Sequence, residues 1–190
     1  FWGAGSCLAV TGVEHRVYNN LFEHFNYQVT EAAGINMSKD RVDALSLDHK
    51  VGYNTLRSSP GSGIFFKTAL NSDPNLPGMY RLHHNHIYDV LHSLTDAGIM
   101  TTVGTDIQGG RLDHNILHGG NGYIQFGIYV DFQGGLYIDH NVAYDCWSPI
   151  GGNHFNTILI NNNVAIETPT HWAFQPDGIF SGKGIEGNVS

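Results

Sequence analysis

The sequence predicts an all-β chain: a right-handed parallel β-helix of about seven coils, stacked on a ladder of asparagines. One observation is a short repeat, as in LDHNIL and IDHNVA, with an aliphatic residue three positions before an Asn and an apolar residue two positions after it. Another is the composition, with 24 Gly in 190 residues and only 14% charged residues, which suits a fold of many tight turns. The repeated asparagines are Asn20, Asn54, Asn85, Asn115, Asn141, Asn163 and Asn188.

The columns on either side of the Asn support a solenoid. One coil of short strands cannot bury its inner face alone, so equivalent strands must stack and pair from coil to coil. Asn tolerates the left-handed conformation of a bend, and its amide can bond to the Asn of the next coil. The repeat length drifts from 34 to 22 residues, whereas a leucine-rich repeat is more constant and a propeller needs about four strands per 40–45 residues. The preceding column is Val17, Val51, Leu82, Leu112, Ile138, Ile160 and Ile185.

The chain is interpreted as one domain, 1–190, and as a fragment of a longer protein. Residues 38–50 and 68–79 break the repeat and are predicted to be insertions at the same turn of successive coils, forming one wall of a cleft. Residues 167–178 are predicted to be a longer excursion. Cys7 and Cys146 lie several coils apart, too far for a disulfide, so two free thiols are expected.

Charge restricts the partners. The net charge is −8, and the 9 basic residues are scattered, which argues against nucleic acid and against an anionic membrane surface. No apolar run approaches the ~18 residues of a membrane helix.

Two aligned segments, TDIQGGRLDHN and VDFQGGLYIDHN, contain the candidate catalytic residues. If they are in register, Asp106 and Asp131 lie on adjacent coils about 5 Å apart, as in the carboxylate pair of retaining glycosidases. Like charges so close raise the pKa of one carboxyl, which makes it a proton donor. Asp96 is a third candidate, and Gln108 and Gln133 stack beside the pair as substrate-binding residues. The alternative is that these aspartates only cap turns.

Further substrate-binding candidates lie at comparable strand ends. Lys67, Asn153 and His154 are predicted to extend the carboxylate pair into a polar stripe across the cleft. Trp147 and Trp172 are candidate platforms for sugar rings, although packing on the core explains them equally well.

Histidines are expected to be structural. His84, His114 and His140 each precede a ladder Asn and should form a stacked column, which does not match the compact tetrahedral ligand set of zinc. We therefore predict no histidine-based metal and no cofactor, with calcium bound by aspartates as the alternative.

The Asn-centred repeats resemble those of pectate lyases, polygalacturonases and related carbohydrate-active β-helix proteins. Residues 80–146 resemble secreted bacterial β-helix glycoside hydrolases, although Met100 and Phe132 depart from their Asp-Gly-Gly-Ile-Tyr and Gly-Ile-Tyr-Leu-Asp-Asp patterns. The resemblance implies a secreted or cell-surface glycoside hydrolase. The alternatives are a polysaccharide lyase, in which Lys67 and Arg111 would serve as base and cation, and a non-catalytic glycan-binding module.

Overall fold

The structure is a computed structural model. It describes residues 5–12, 14–27, 33–38, 48–67, 80–104, 110–120, 124–131, 134–153, 156–169, 172–175 and 185–186.

Short strands make up most of the described chain, because its apolar residues alternate with polar ones over three to seven positions. The strands are β1 Leu8–Thr11, β2 Arg16–Tyr18, β3 Leu21–Glu23, β4 Ala33–Ser38, β5 His49–Gly52, β6 Thr55–Arg57, β7 Ser62–Lys67, β8 Tyr80–His83, β9 His86–Tyr88, β10 Ala97–Val103, β11 Gly110–Asp113, β12 Ile116–His118, β13 Gln125–Asp131, β14 Gly134–Asp139, β15 Val142–Tyr144, β16 Ser148–Asn153, β17 Asn156–Asn161, β18 Val164–Ile166, β19 Trp172–Gln175 and β20 Ile185–Glu186.

From β1 to β17, each strand pairs in parallel with the strand three places further along the chain, so each coil adds one strand to each of three sheets. The first sheet has the order β1-β4-β7-β10-β13-β16-β19, the second β2-β5-β8-β11-β14-β17-β20 and the third β3-β6-β9-β12-β15-β18. The chain is therefore a parallel β-helix, as predicted. The described residues contain no helix, and so none that could span the bilayer.

Inward-facing columns form the core, one column for each sheet, and the two predicted columns on either side of the ladder Asn are confirmed. The column of the first sheet includes Met100, which pairs with Ile64 and Ile128. Equivalent residues are paired from coil to coil, so that Leu112 lies between Leu82 and Ile138. All described members of the three columns are at most 8% exposed. They are Val17, Val51, Leu82, Leu112, Ile138 and Ile160; Phe22, Leu56, Ile87, Leu117, Ala143 and Ala165; and Ile35, Ile64, Met100, Ile128 and Ile150.

The asparagine ladder joins the second and third sheets. From Asn20 to Asn141, each side-chain amide donates to the Oδ1 of the Asn on the next coil at 2.9–3.1 Å. From Asn54 onward, the amide also reaches a carbonyl of the previous coil, as from Asn115 to Leu82 at 2.9 Å. Over the same range each Oδ1 also accepts from a backbone N–H, as when Asn85 donates to Asn115 at 3.0 Å. The interior ladder amides are therefore satisfied despite their burial. Asn188 lies outside the described residues.

The bend conformation differs from the expectation in one respect. The left-handed residue of each corner is the one before the ladder Asn, not the Asn itself. The Asn uses both ends of its amide for the ladder, so the preceding side chain turns outward to solvent. A second left-handed residue follows each third-sheet strand, for example Asp89 at φ 54° and Asp145 at φ 51°. The first set comprises Asn19, Tyr53, His84, His114, His140 and Asn162, with φ between 53° and 57°.

The two early insertions connect equivalent strands. Residues 39–47 follow β4 and residues 68–79 follow β7, so both link the first sheet to the second, although they lie outside the described residues. The predicted excursion over 167–178 is wrong in part, because β19 (Trp172–Gln175) lies within it and pairs with β16. Cys7 and Cys146 are not joined by a disulfide, as expected.

Candidate functional site

Polar side chains of the first sheet surround Tyr129, at a place we call the strand-end site: Asp131 and Asn153 end β13 and β16, whereas Asp96 immediately precedes β10. Successive side chains of a strand alternate between faces. Because Ile128 and Val130 of β13 point into the core, Tyr129 and Asp131 face outward together. Asn153 ends β16 and is paired with Asp131 in the sheet register.

The Tyr129 hydroxyl connects these residues. Asn153 donates its side-chain amide to the Tyr129 Oη at 2.6 Å. Tyr129 also shares a side-chain hydrogen bond with Asp96, and the negative charges of Asp96 and Asp131 both act on it. The structure therefore brings three of the sequence-predicted site residues around one phenol.

The state of that phenol follows from its surroundings. Burial, and then the charges of Asp131 and Asp96, raise the pKa of Tyr129 well above its ordinary value of 10.0. A protonated hydroxyl donates one hydrogen bond and accepts others. Tyr129 therefore donates to the Asp96 carboxylate while it accepts from Asn153, which gives the Asp96 carboxyl a defined orientation.

Asp96 lies on a strained corner. It immediately precedes β10, has φ 53° and is exposed, and its backbone N–H donates to the carbonyl of Ile124 at 2.9 Å. Asp tolerates this left-handed conformation better than most residues.

Aromatic packing supports the phenol. Tyr129 packs against Phe126 with ring centroids 5.0 Å apart, and Phe126 meets the Trp147 ring edge-on at 5.3 Å and 86°. Trp147 is only partly exposed, and its backbone N–H donates to Gln125. Trp147 therefore packs beside the Phe126–Tyr129 pair, and its predicted role as a sugar platform stays a prediction.

The strand register at Asp131 differs from the predicted alignment. Val103, not Asp106, is the residue paired with Asp131 on the preceding coil. Residues 104–109 separate Val103 from Gly110, whereas residues 132–135 separate Asp131 from Leu136, the partner of Gly110. The connection is longer in the earlier coil. The two similar motifs are therefore out of register: Asp131 ends a strand, whereas Asp106 comes after the equivalent strand has ended.

The remaining predicted residues fall in two groups. Lys67 ends β7, is exposed and lies in the same column as Val103, Asp131 and Asn153, two coils or roughly 10 Å from Asp131. The others lie outside the described residues: Asp106, Gln108, Gln133 and His154.

A second polar surface, which we call the Arg–Asp ladder, covers the outer side of the second sheet. Arg81 binds Asp113 of the next coil through two hydrogen bonds of 2.7 and 2.6 Å. Arg111 binds Asp139 in the same way at 2.9 and 2.6 Å. Burial favours a neutral Asp113 carboxyl, but hydrogen bonds from Arg81 and His114 outweigh it and lower its pKa below 3.8.

The two residues suggested for a lyase, Lys67 and Arg111, lie on different sheets. Arg111 lies on the second sheet with its charge directed to Asp139 and Asp113. Lys67 lies at the end of a strand of the first sheet. The described structure therefore does not bring a base and a cation together as that alternative requires.

Stacked rings border the Arg–Asp ladder and confirm the expected histidine column. The rings of His84 and His114 are 4.8 Å apart, and those of His114 and His140 are 4.9 Å apart, with planes within 3° of parallel. His84, Asp113 and His114 offer ligand atoms within 4.8 Å of one another. A metal must lie in the plane of each imidazole that binds it, so two parallel stacked rings cannot share one ion in this arrangement.

A cavity of about 480 Å³ opens on the same surface, where the arginine column ends. Tyr137 and Leu159 provide its apolar part, and Arg111, His140 and Asn162 are among its polar lining. Its volume is within the usual range for small-ligand sites.

Sequence reasoning missed two features. Tyr129 stands two positions before Asp131, and that spacing on a strand already indicates a shared face. The motifs RLHHN and RLDHN place Arg two positions before His or Asp, and YIDHN repeats the Asp, which predicts cross-coil Arg–Asp pairing once the coils are in register. No family model, curated protein or solved structure matches the chain.

Proposed function

We propose that the chain is a glycoside hydrolase that cleaves a neutral polysaccharide or oligosaccharide at the strand-end site. The observation that supports this best is the Tyr129 hydroxyl, which is hydrogen-bonded to Asp96 and Asn153 and lies close to the charge of Asp131. Glycoside hydrolysis uses two carboxyl groups, and this is a place where two aspartates from different coils meet one orienting group.

The roles follow from the chemistry of the bond. One carboxyl group protonates the departing glycosidic oxygen, and the other attacks the anomeric carbon or activates water. Asp131 and Asp96 share these roles in our proposal, and Tyr129 positions Asp96. Asp106, in the turn that follows Val103, is a further candidate for the pair.

The choice of a neutral substrate rests on charge. The chain carries a net charge of −8, and the strand-end site contains two aspartates. The described arginines near it in sequence, Arg81 and Arg111, are already paired with carboxylates on another sheet. A polyanionic substrate would be repelled there. A secreted or cell-surface location, which the resemblance to secreted β-helix hydrolases implies, belongs to this proposal.

Product analysis tests the reaction class. The purified chain is incubated with a panel of neutral polysaccharides, and reducing ends and ultraviolet absorbance are followed together. A hydrolase releases reducing ends without a new absorbance. An unsaturated product that absorbs in the ultraviolet, or activity abolished by a chelator on uronate polymers, would establish the lyase alternative instead.

Glycan binding without turnover is a second candidate, favoured by the cavity beside Tyr137 and His140. An exposed tyrosine and nearby polar groups suit a stacked sugar ring. Retention on immobilised neutral glycans that is lost in Tyr137→Ala but kept in Asp131→Asn, with no reducing ends released by the wild type, would support this function. If both variants are retained on the glycans as well as the wild type, this function is contradicted.

A further inference from the structure

A column of stacked rings runs along the outer corner between the second and third sheets. It begins with Tyr53 and continues through His84, His114 and His140 on successive coils, with ring centroids 4.7, 4.8 and 4.9 Å apart. Each of these residues occupies the left-handed corner before a ladder Asn. On the next coil the corner residue is Asn162, which has no ring. The column therefore ends at His140.

The uncovered face of His140 borders a cavity. His114 covers one face of this ring, with planes 3° from parallel, so the other face is directed to the coil of Asn162. Both His140 and Asn162 line the cavity of about 480 Å³ beside the Arg–Asp ladder. The position that a further ring of the column would take therefore lies at this cavity.

Hydrogen bonds hold the His140 ring in place. Its Nδ1 is 2.8 Å from the Asp139 carboxylate, and Arg111 donates two hydrogen bonds of 2.9 and 2.6 Å to the same carboxylate. A side chain that is already fixed loses little further conformational entropy when a ligand packs on it. The imidazole is therefore a preorganised flat surface at one end of the cavity.

The free donors of Arg111 define the ligand further. Arg111 uses its Nε and Nη2 for Asp139, and within the described part of the chain its Nη1 has no hydrogen-bond partner. The N–H groups of Nη1 can donate to a carbonyl oxygen or a ring nitrogen. The charges of Arg111 and Asp139 offset each other, so this pair does not repay the desolvation of a charged ligand. An uncharged ligand with an acceptor atom is the better fit.

Apolar surface completes the site. The exposed ring of Tyr137 and the side chain of Leu159 line the cavity together with His140. Stacked planar rings gain more than the burial of their apolar area alone provides. We infer that this cavity binds an uncharged planar heteroaromatic compound, whose ring extends the column beyond His140 and whose acceptor atom bonds to Arg111. The cavity lies on a different sheet from the strand-end site, and binding there does not depend on glycan hydrolysis.

Equilibrium dialysis of the whole chain against quinolin-2-one tests the inference, because this bicyclic lactam is planar and uncharged and carries a carbonyl acceptor. The wild type should bind one equivalent at the cavity. The fully saturated counterpart of the probe keeps the carbonyl but has no aromatic ring. It should bind roughly tenfold more weakly, because it cannot stack on His140.

Variants at two corners separate stacking from a merely structural role. His140→Asn removes the ring and should weaken binding roughly fivefold or more, whereas His140→Tyr keeps a ring and should bind within about threefold of wild type. Both replacements suit the backbone, since Asn162 and Tyr53 occupy equivalent corners with φ 53° and 57°. Asn162→His adds a ring of the protein's own to the column and should abolish binding. His92→Asn, at an exposed position outside the column, should bind like wild type.

A wild type that does not bind quinolin-2-one, or that binds the saturated counterpart as tightly, would overturn the inference. Unchanged binding in both His140→Asn and Asn162→His would also overturn it, because the probe would then lie elsewhere on the chain. Binding of a neutral oligosaccharide that is lost in Asn162→His, without binding of quinolin-2-one, would assign the cavity to a glycan instead. Circular dichroism checks that each variant keeps the β-helix, and either corner variant decides the question if the other does not fold.

Discussion

Asn153 donates a hydrogen bond of 2.6 Å from its side-chain amide to the hydroxyl of Tyr129, although the two residues are 24 positions apart in the chain. The contact forms because β13 and β16 are neighbours in the first sheet and their outward residues share a surface. It links two coils at the point where the strands end. The proposed activity depends on this link, because it orients the phenol that contacts Asp96.

Tyr129→Phe tests the positioning role of that phenol. Removing the hydroxyl leaves the ring packed on Phe126 but frees the Asp96 carboxyl from its hydrogen bond. We expect kcat on a neutral glycan to fall roughly 10- to 100-fold, because misplacing a reacting group has an effect of that size. KM should change little. Tyr137→Phe, on the second sheet, is the control, and unchanged kcat in Tyr129→Phe would refute the positioning role.

Asn115→Ala tests the asparagine ladder. The substitution removes the acceptor of the Asn85 amide and the donor to Asn141, all of them buried. Each buried polar group left without a partner costs about 1–3 kcal/mol, so the free energy of unfolding should drop by about 3 kcal/mol or more in chemical denaturation. Asn36→Ala, at a partly exposed strand position, should change it by less than ~1 kcal/mol. Equal losses in the two variants would show that the ladder is not what stabilises the coils.

The Arg–Asp ladder predicts acid sensitivity. The folded pKa of Asp113 lies below 3.8, so its contribution to stability is present above about pH 4 and is lost as pH falls through the folded value. Asp113→Asn should cost about 2 kcal/mol at pH 7, less than a fully buried pair, because the Arg81 side chain is 40% exposed. The loss of stability between pH 4 and pH 2, measured by urea unfolding, should be smaller in the variant. A variant as stable as wild type at pH 7 would contradict this account.

His49 predicts a second effect at milder acidity. Burial, followed by the charge of His15, lowers the pKa of His49 from 6.5 to about 4. The unfolded chain takes up a proton below pH 6.5 that the folded chain resists, so the free energy of unfolding should decrease as pH falls from about 6.5 to 4. Between pH 7 and pH 4.5 this amounts to about 2 kcal/mol.

His49→Gln should reduce that dependence while it keeps an acceptor for the His15 N–H. The exposed His92→Gln should retain the wild-type slope. If His49→Gln and wild type lose stability in parallel over this range, another group is responsible.

The fold was largely predictable because strand stacking repeats the same physical requirement in every coil. Each aliphatic residue of a column and each ladder Asn has an equivalent residue on the coils above and below. The repeat in the sequence therefore predicts the strand pairing directly. The left-handed conformation of each corner was expected at the ladder Asn, because Asn tolerates that conformation in general, but it occurs at the preceding residue. Here its amide is committed to the ladder, and residues such as His114 and Tyr53 take the corner instead.

The candidate site was predictable only in part. The sequence indicated Asp96, Asp131 and Asn153 one by one as candidates. That they surround Tyr129 depends on the strand register, which cannot be read correctly from the similarity of local motifs. The turn that follows Val103 is longer than the one that follows Asp131, and strand pairing, not motif similarity, decides which residues are adjacent.

The most direct test of the proposed function is the rate of reducing-end release from a neutral glycan by Asp131→Asn and Asp96→Asn, compared with Asp89→Asn. Asp89 and Asp96 both occupy left-handed corners, with φ of 54° and 53°, and Asn tolerates that conformation, so the control matches the backbone as well as the charge. We predict that Asp131→Asn and Asp96→Asn lower kcat by roughly 100-fold or more, while Asp89→Asn retains wild-type activity. Full activity in both Asp131→Asn and Asp96→Asn would contradict the proposal.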